Sequence, residues 1–326
     1  MATFKGIKGV KVVTKTSDPT ASEATGTVWY NSTSPVALKY AIEGAGAWAS
    51  GGNLNVARRS MGGAGKQTAA LVYGGDPGMP GVYDLVESYD GSTWTETTEI
   101  NTGRYNVGTG LGSQTAALAV AGTTGTNNPT IVEEWNGSTW TEIADLNTGR
   151  RTNLSVGTTT AAMTAGGSPP TIDKTETWDG SSWTEVANLL AARGGISGFG
   201  ISTAAIGAGG EPNTTACESW NGTSWTEVAE WNSAAASQRG GTGIATAGIL
   251  AGGLVDPPKL AATEKFDGTS WTEVGDLATA RGKGNSGSTG GTTSLSIYTG
   301  GYSTANTNVT EEWTDPVYAI KTVTVS

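Results

Sequence analysis

The residues with the most chemistry in them recur at fixed spacing. Six glutamates each precede an aromatic residue by two: Glu87, Glu133, Glu176, Glu218, Glu264 and Glu311. Six arginines follow six tryptophans. Trp48 to Arg58, Trp94 to Arg104, Trp140 to Arg150, Trp183 to Arg193 and Trp271 to Arg281 are each 10 residues apart, and Trp225 to Arg239 is 14. Paired carboxylates can serve as general acid and base. A reaction centre needs such a pair once, whereas a glutamate repeated six times in one context reads as structural. A guanidinium can bind a carboxylate through two hydrogen bonds and stack on an indole, so the arginines are the expected partners of the glutamates. Any enclosed carboxylate without such a partner would be strongly destabilising.

Other chemistry is narrowly bounded. The chain has no His, which removes the commonest general base, the commonest neutral metal ligand and every His-containing triad. Cys217 is the single cysteine, so neither an intrachain disulfide nor a Cys/His zinc site can form. No cofactor and no metal are expected. The net charge of −10 argues against a nucleic-acid surface, which needs a basic stripe. Residues 1–45 run against that sign, with Lys5, Lys8, Lys11, Lys15 and Lys39 facing only Asp18, Glu23 and Glu43. A slightly basic arm on an acidic body suits docking onto a larger assembly. The start, MATFKGIKGVKVV, lacks the apolar core of a signal peptide, and no apolar run approaches membrane-spanning length, so no membrane insertion is expected.

The elements that must position these residues are short strands. Gly makes up 50 of 326 residues and charged residues 15%, a mix that disfavours long helices. ESYDGSTWTE returns as EEWNGSTWTE, ETWDGSSWTE, ESWNGTSWTE and EKFDGTSWTE, with Trp94, Trp140, Trp183, Trp225 and Trp271 spaced by 46, 43, 42 and 46 residues. That is the length of a propeller blade. Apolar runs ending in Gly74-Gly75, Gly166-Gly167, Gly209-Gly210, Gly252-Gly253 and Gly300-Gly301, with Ala121-Gly122 in the second unit, complete the repeat.

Each unit reads as four strands. Strand a follows the Arg, b runs into the glycines, c holds the Glu and d the Trp. Asp-Gly or Asn-Gly between c and d predicts a two-residue type I′ hairpin, which would set Tyr89 against Ser92 and Glu87 against Trp94. Glu87, Tyr89 and Trp94 then share a bulky face that stacks on the small face of the next unit. The last unit lacks strand d, and the segment around Trp48 can supply it. The expected fold is all-β: a six-bladed propeller of four antiparallel strands per blade over 46–313, closed by an N-terminal strand. Residues 1–45 form an N-terminal β arm and 314–326 a C-terminal strand. The alternating AIKTVTVS is expected to pair with FKGIKGVKVV outside the ring.

The double glycine, the aromatic of strand c, the Trp of strand d and the Arg after it resemble the kelch family of β-propellers over residues 46–313. The match departs in the tight c–d hairpin and at Ala121. GTVWYNSTSPVALKY, residues 26–40, resembles a short hairpin module of bacteriophage tail-fibre and other virion proteins. That second resemblance implies a virion protein assembled in the host cytoplasm and exposed on the particle surface, oligomeric within the assembly and held to other virion proteins by the N-terminal arm.

Variation marks where such a scaffold would bind. The c–d turns are nearly identical, whereas the b–c loops differ, and they share a face with the d–a loops. Candidate contacts are Asp76, Tyr83, Asn127, Asn128, Asp173, Glu211, Asp256, Lys259 and Tyr302. The expected function is non-enzymatic: a virion structural or adhesion protein, a component of a tail or head-decoration fibre, presenting the propeller to a host surface receptor or glycan. A glycan-active hydrolase and an intracellular kelch interaction scaffold are the alternatives. Galactose-oxidase-like copper chemistry would need His ligands the chain lacks.

Overall fold

The computed structural model describes residues 13–19, 27–33, 36–43, 46–78, 83–108, 111–255, 259–285, 293–315 and 318–323. Contacts divide the chain into Ala47–Thr314 and a unit of both ends, Met1–Gly46 with Asp315–Ser326. Seven sheets are present among the described residues. Six belong to the larger unit and the seventh to the terminal one, where the sequence reading expected six blades and a small extension.

Blade I consists of strands a to d at Gly62–Lys66, Ala69–Tyr73, Val86–Tyr89 and Trp94–Thr97, each antiparallel to the next. Blades II to V repeat this order, with their d strands beginning at Trp140, Trp183, Trp225 and Trp271. Blade VI takes strands b and c from Ile297–Thr299 and Thr310–Thr314, and strand d from Ala47–Ser50. Trp313 lies opposite Trp48 across that last pairing, so the two ends of the larger unit meet in one sheet. A bridge from Asn285 to Thr299 stands where strand a would run, and residues 286–292 lie outside the described residues.

The c–d hairpin differs from the expected register. Tyr89 lies opposite Trp94, Ser88 opposite Thr95 and Glu87 opposite Glu96, leaving a four-residue loop, Asp90 to Thr93. A type I′ turn needs positive φ at two successive residues, and here only Gly91 has it, at 96°. The Asp90 carboxylate decides the geometry instead, accepting the N–H groups of Ser92 and Thr93, both at 2.8 Å. A side chain that takes the N–H two residues on builds an Asx turn. Asn136, Asp179, Asn221 and Asp267 do the same. The slip is by two residues, so Glu87, Tyr89 and Trp94 still share a face.

Each hairpin therefore carries a cross-strand aromatic pair. Ring centroids are 4.7 Å apart for Tyr89–Trp94, 5.3 Å for Trp135–Trp140 and 5.4 Å for Trp178–Trp183, Trp220–Trp225 and Trp48–Trp313. Phe266–Trp271 completes the set at 4.9 Å. The tryptophans of strand d pack on the preceding blade. Trp140 meets Tyr73 edge-on, Trp271 meets Phe199, and Trp183 shares a cluster with Leu118 and Val120. Trp225, Trp48 and Trp94 donate their indole N–H to Thr175, Thr263 and Thr310 of the blade before. Blade I thus rests on blade VI, and the stack closes. Each buried indole removes about 150–250 Å² from water. Five of the six are buried and Trp48 is half-buried.

In the terminal unit, Val28–Asn31 pairs parallel with Val13–Lys15 and antiparallel with Ala37–Glu43. The C-terminal strand, Tyr318–Thr322, pairs with Ala37–Glu43. Of FKGIKGVKVV only Val13 is among the described residues, and it pairs with Trp29; the expected pairing with the rest of that segment lies outside them. Ile320 joins Trp29 and Ala41 in a small core, whereas Val13–Lys15 is exposed throughout. Asp18 ties this unit together by accepting from Trp29, Asn31 and Lys39.

Candidate functional site

The repeated charges are placed inside the blades. All six arginines and all six glutamates are buried. Arg58 meets Glu87 at 2.8 Å, and Arg104–Glu133, Arg150–Glu176, Arg193–Glu218 and Arg281–Glu311 are in direct contact. Arg239 stands farther from Glu264, at 3.7 Å. The arginines also donate to main-chain carbonyls, as Arg104 does to Ala119, Ala121 and Thr102. The glutamates accept from the segment joining strand d to strand a. Glu87 takes the main-chain and side-chain N–H groups of Asn55, at 2.7 and 2.9 Å, and the Asn55 amide also donates to the Trp94 carbonyl. Asn147 and Asn232 repeat that clamp on Glu176 and Glu264. Asn101 bonds Glu133 through its main-chain N–H and the Trp140 carbonyl through its amide. Sequence reasoning missed these asparagines, although Asn55, Asn101 and Asn147 each lie three residues before Arg58, Arg104 and Arg150.

Blade V departs from the pattern. Gly75 and Gly167 donate to the carbonyls of Arg104 and Arg193, but the equivalent Gly210 donates to Ala236. Ala236 therefore holds the backbone place of the arginine. Arg239 starts three residues later and reaches back, its guanidinium 4.9 Å over the ring of Trp231. The spacing of 14 is thus a displaced side chain more than an insertion in the loop.

Two residues beyond each arginine position, the chain turns left-handed. Ser60, Asn106, Thr152, Gln238 and Lys283 have φ between 51° and 59°, and Gly195 has 61°. A non-glycine residue costs about 1–2 kcal/mol in that conformation, so something must hold it there. The holder is a closed hydrogen-bonded ring. Asn106 N–H donates to Ser60 O, Thr152 to Asn106, Gly195 to Thr152, Gln238 to Gly195, Lys283 to Gln238 and Ser60 to Lys283, over 2.7–3.1 Å. These residues rim a small axial depression that is also lined by Met61, Val107, Asn153, Ile196, Arg239 and Gly284. No Asp or Glu lines it.

Beside the rim, Arg59 pairs with Asp76 at 2.7 Å, and its guanidinium lies 4.8 Å over the Tyr302 ring. The Lys259 ammonium lies 5.5 Å from the same ring. Gln238 donates to Glu211 at 3.4 Å. Lys283 is held below the ordinary lysine range, by burial first and then by the nearby charge of Arg59. Glu211 and Asp76 act in the opposite sense, and Lys259 adds to the lowering.

Of the loop residues singled out from sequence, the structure gathers Asp76, Glu211, Lys259 and Tyr302 around Arg59 and Lys283. It leaves others in their own loops. Tyr83 packs on Tyr105 at 5.0 Å. The Asn127 carbonyl accepts from Thr123 and Thr124, which closes its turn. Asn128 buries its side-chain oxygen without a partner. The Asp173 carbonyl accepts from Leu189. Asp256 lies outside the described residues. Arg59, Lys283 and the left-handed ring escaped sequence reasoning, because the rim positions hold six different residue types. Among the described residues, no group of three or more Cys, Asp or Glu is placed to hold a metal ion, and no helix is long and apolar enough to cross a membrane.

No family model matches the sequence, and no curated protein is similar to it. Among solved structures, that of YjhT, a propeller-type fold, aligns over 82% of this chain and 99% of that one, with a TM-score of 0.66 at 14% identity. At that identity the likeness speaks to architecture alone. With its four-stranded antiparallel sheets stacked in a closed ring, the chain is a β-propeller.

Proposed function

We propose that the chain is a non-enzymatic, kelch-like propeller of six blades that serves as a structural and adhesion protein of a virion. In this reading it belongs to a bacteriophage tail or head-decoration fibre and is assembled in the host cytoplasm. The terminal unit joins it to other virion proteins in an oligomeric assembly, and the propeller is exposed on the particle surface. The face of the b–c and d–a loops meets a host surface receptor or glycan.

One observation carries the binding part of this reading. The recurrent groups with chemical potential, six arginines and six glutamates, are consumed inside the blades, whereas the residues that vary between blades gather at the axial rim. A constant scaffold that presents varied loops on one face is how recognition surfaces are built. The virion part is supported by the likeness of residues 26–40 to tail-fibre hairpins and by a Gly- and Thr-rich composition with few charged residues.

The test is a protein inventory of purified particles by mass spectrometry, with antibody labelling of intact particles. The expected result is a stoichiometric structural component labelled at the surface. Absence of the chain from purified particles would overturn the virion assignment.

A further inference from the structure

Two of the c–d turns hold the parts of a reaction whose only other reactant is water. Asparagine precedes glycine at Asn136-Gly137 and Asn221-Gly222 and nowhere else in the chain. Both pairs are exposed at the tips of their hairpins. In such a pair the glycine nitrogen can attack the side-chain carbonyl carbon of the asparagine, since glycine has no Cβ to obstruct a close approach. The turn leaves that nitrogen unengaged. Among the described residues, the N–H groups of Gly137 and Gly222 make no hydrogen bond.

The turn also prepares the carbonyl. Asn221 Oδ1 accepts from the Thr223 N–H at 2.9 Å, the Thr223 hydroxyl at 2.8 Å and the Ser224 N–H at 2.9 Å. Asn136 Oδ1 accepts from the Ser138 N–H, the Ser138 hydroxyl and the Thr139 N–H, each at 2.9 Å. Donors already aimed at an oxygen that gains negative charge lower the barrier to attack. The two sites differ at the leaving group. The Asn136 amide donates to the Thr139 hydroxyl at 3.0 Å, a tether that must break before ammonia departs. The Asn221 amide has no acceptor among the described residues.

The repeat already contains the product. Gly91, Gly180 and Gly268 follow Asp90, Asp179 and Asp267, and their φ of 96° matches the 96° of Gly137 and the 95° of Gly222. The three aspartates accept the N–H groups two and three residues on, as the asparagines do. We infer that Asn136 and Asn221 are sites of spontaneous deamidation, that Asn221 converts first, and that the aspartyl product keeps the hairpin. The glycine nitrogen gives its proton to solvent and bonds to the side-chain carbon. The amide C–N bond breaks, and its nitrogen leaves as ammonia. Water then opens the cyclic imide, at the side-chain carbonyl to give aspartate or at the main-chain carbonyl to give isoaspartate. Only aspartate reproduces the turns of the sister blades, because isoaspartate adds a carbon to the main chain. Each conversion replaces a neutral amide by a carboxylate, so the net charge of −10 becomes −12 when both have reacted.

Peptide mapping by mass spectrometry, on the folded full chain aged at mildly alkaline pH, tests this. The amide-to-acid mass gain should appear at Asn221 and then at Asn136, about tenfold or more ahead of every other asparagine. The same chain unfolded in guanidinium chloride gives the reference rate. Both sites staying amidated while the unfolded chain converts, or another asparagine leading, would overturn the inference. Asn136 ahead of Asn221 would overturn the order. Thr223→Val removes one donor from Oδ1 and should slow Asn221 several-fold, whereas an unchanged or faster rate would mean that the turn shields the amide instead. Asn136→Asp and Asn221→Asp should melt with the parent, and a lowered melting temperature would show that the fold rejects the aspartyl form. These outcomes are independent of the particle assignment.

Discussion

The backbone N–H of Ser60 donates to the carbonyl of Lys283 at 2.8 Å, and this bond joins the first blade to the last. Five like bonds link the other neighbours, so every blade contributes one donor and one acceptor to a closed cycle. Strand pairing inside blade VI closes the outside of the ring. The cycle closes the inside, at the rim of the candidate site, and it holds five non-glycine residues in a left-handed conformation.

Replacing Ser60 separates the two demands of that position. Ser60→Pro removes the donor and forbids the observed φ of 59°, so it should destabilise by about 3 kcal/mol or more. Ser60→Gly keeps the donor and relieves the strain, so it should stay within about 1 kcal/mol of the parent. Equilibrium urea unfolding reads both. Equal stability of the two variants would mean that the cycle contributes nothing.

The buried pair of Arg104 and Glu133 should behave as a unit. Arg104→Met strands a carboxylate and frees the carbonyls of Ala119 and Ala121. Glu133→Leu strands a guanidinium and the N–H groups of Asn101 and Thr102. Each single change should cost about 3–5 kcal/mol. The double variant should cost less than the sum by at least about 1 kcal/mol, because neither charge is then left alone. Additive losses in a double-mutant cycle would show that the two side chains are not coupled.

Blade IV lacks the asparagine clamp and invites a gain. Leu190 stands where Asn55 and Asn147 stand in blades I and III. Its N–H already bonds Glu218 at 2.8 Å, while its side chain is 63% exposed. Leu190→Asn should add hydrogen bonds to Glu218 and to the Trp225 carbonyl and raise stability by about 1 kcal/mol. Denaturant midpoints compare the two proteins, and an unchanged or lower midpoint would contradict the clamp.

These relationships were legible in the sequence to unequal depth. The Trp-to-Arg spacing and the recurrent Glu locate the blades, because packing of identical units forces identical offsets. The c–d register was misjudged by two residues, since Asp-Gly reads as a type I′ signal until the side chain of Asp90 competes for the backbone. The 14-residue spacing from Trp225 to Arg239 did not reveal that this side chain fills the usual arginine place, because a sequence shows where a side chain is attached and not how far it reaches back. The rim left no signature in composition. Ser60, Asn106, Thr152, Gly195, Gln238 and Lys283 share a backbone shape imposed by the closed cycle, and only Gly195 and Asn106 are of types that favour it. Asp76, Glu211, Lys259 and Tyr302 come from four separate loops, which converge only once the ring is shut.

The five c–d turns form an internal titration experiment. Asp90 is held down at about 2, chiefly by the Thr93 N–H and then by Ser92. Asp179 is held at about 2 by the Ser181 hydroxyl and the Ser182 and Ser181 N–H groups, and Asp267 is lowered in the same way by Thr269 and Ser270. A carboxyl depressed in the folded state contributes stability that is fully present above its unfolded value, near 3.8, and is lost as pH falls through the folded one. The turns of Asn136 and Asn221 share the geometry and have nothing to protonate. Amide resonances of Ser92, Thr93, Ser181 and Ser182 should therefore shift with midpoints near 2 on acidification, while those of Ser138, Thr139, Thr223 and Ser224 stay in place. Midpoints near 4 in the aspartate turns would mean that the side chains do not accept these hydrogen bonds in solution, and the hairpin register would then need another cause.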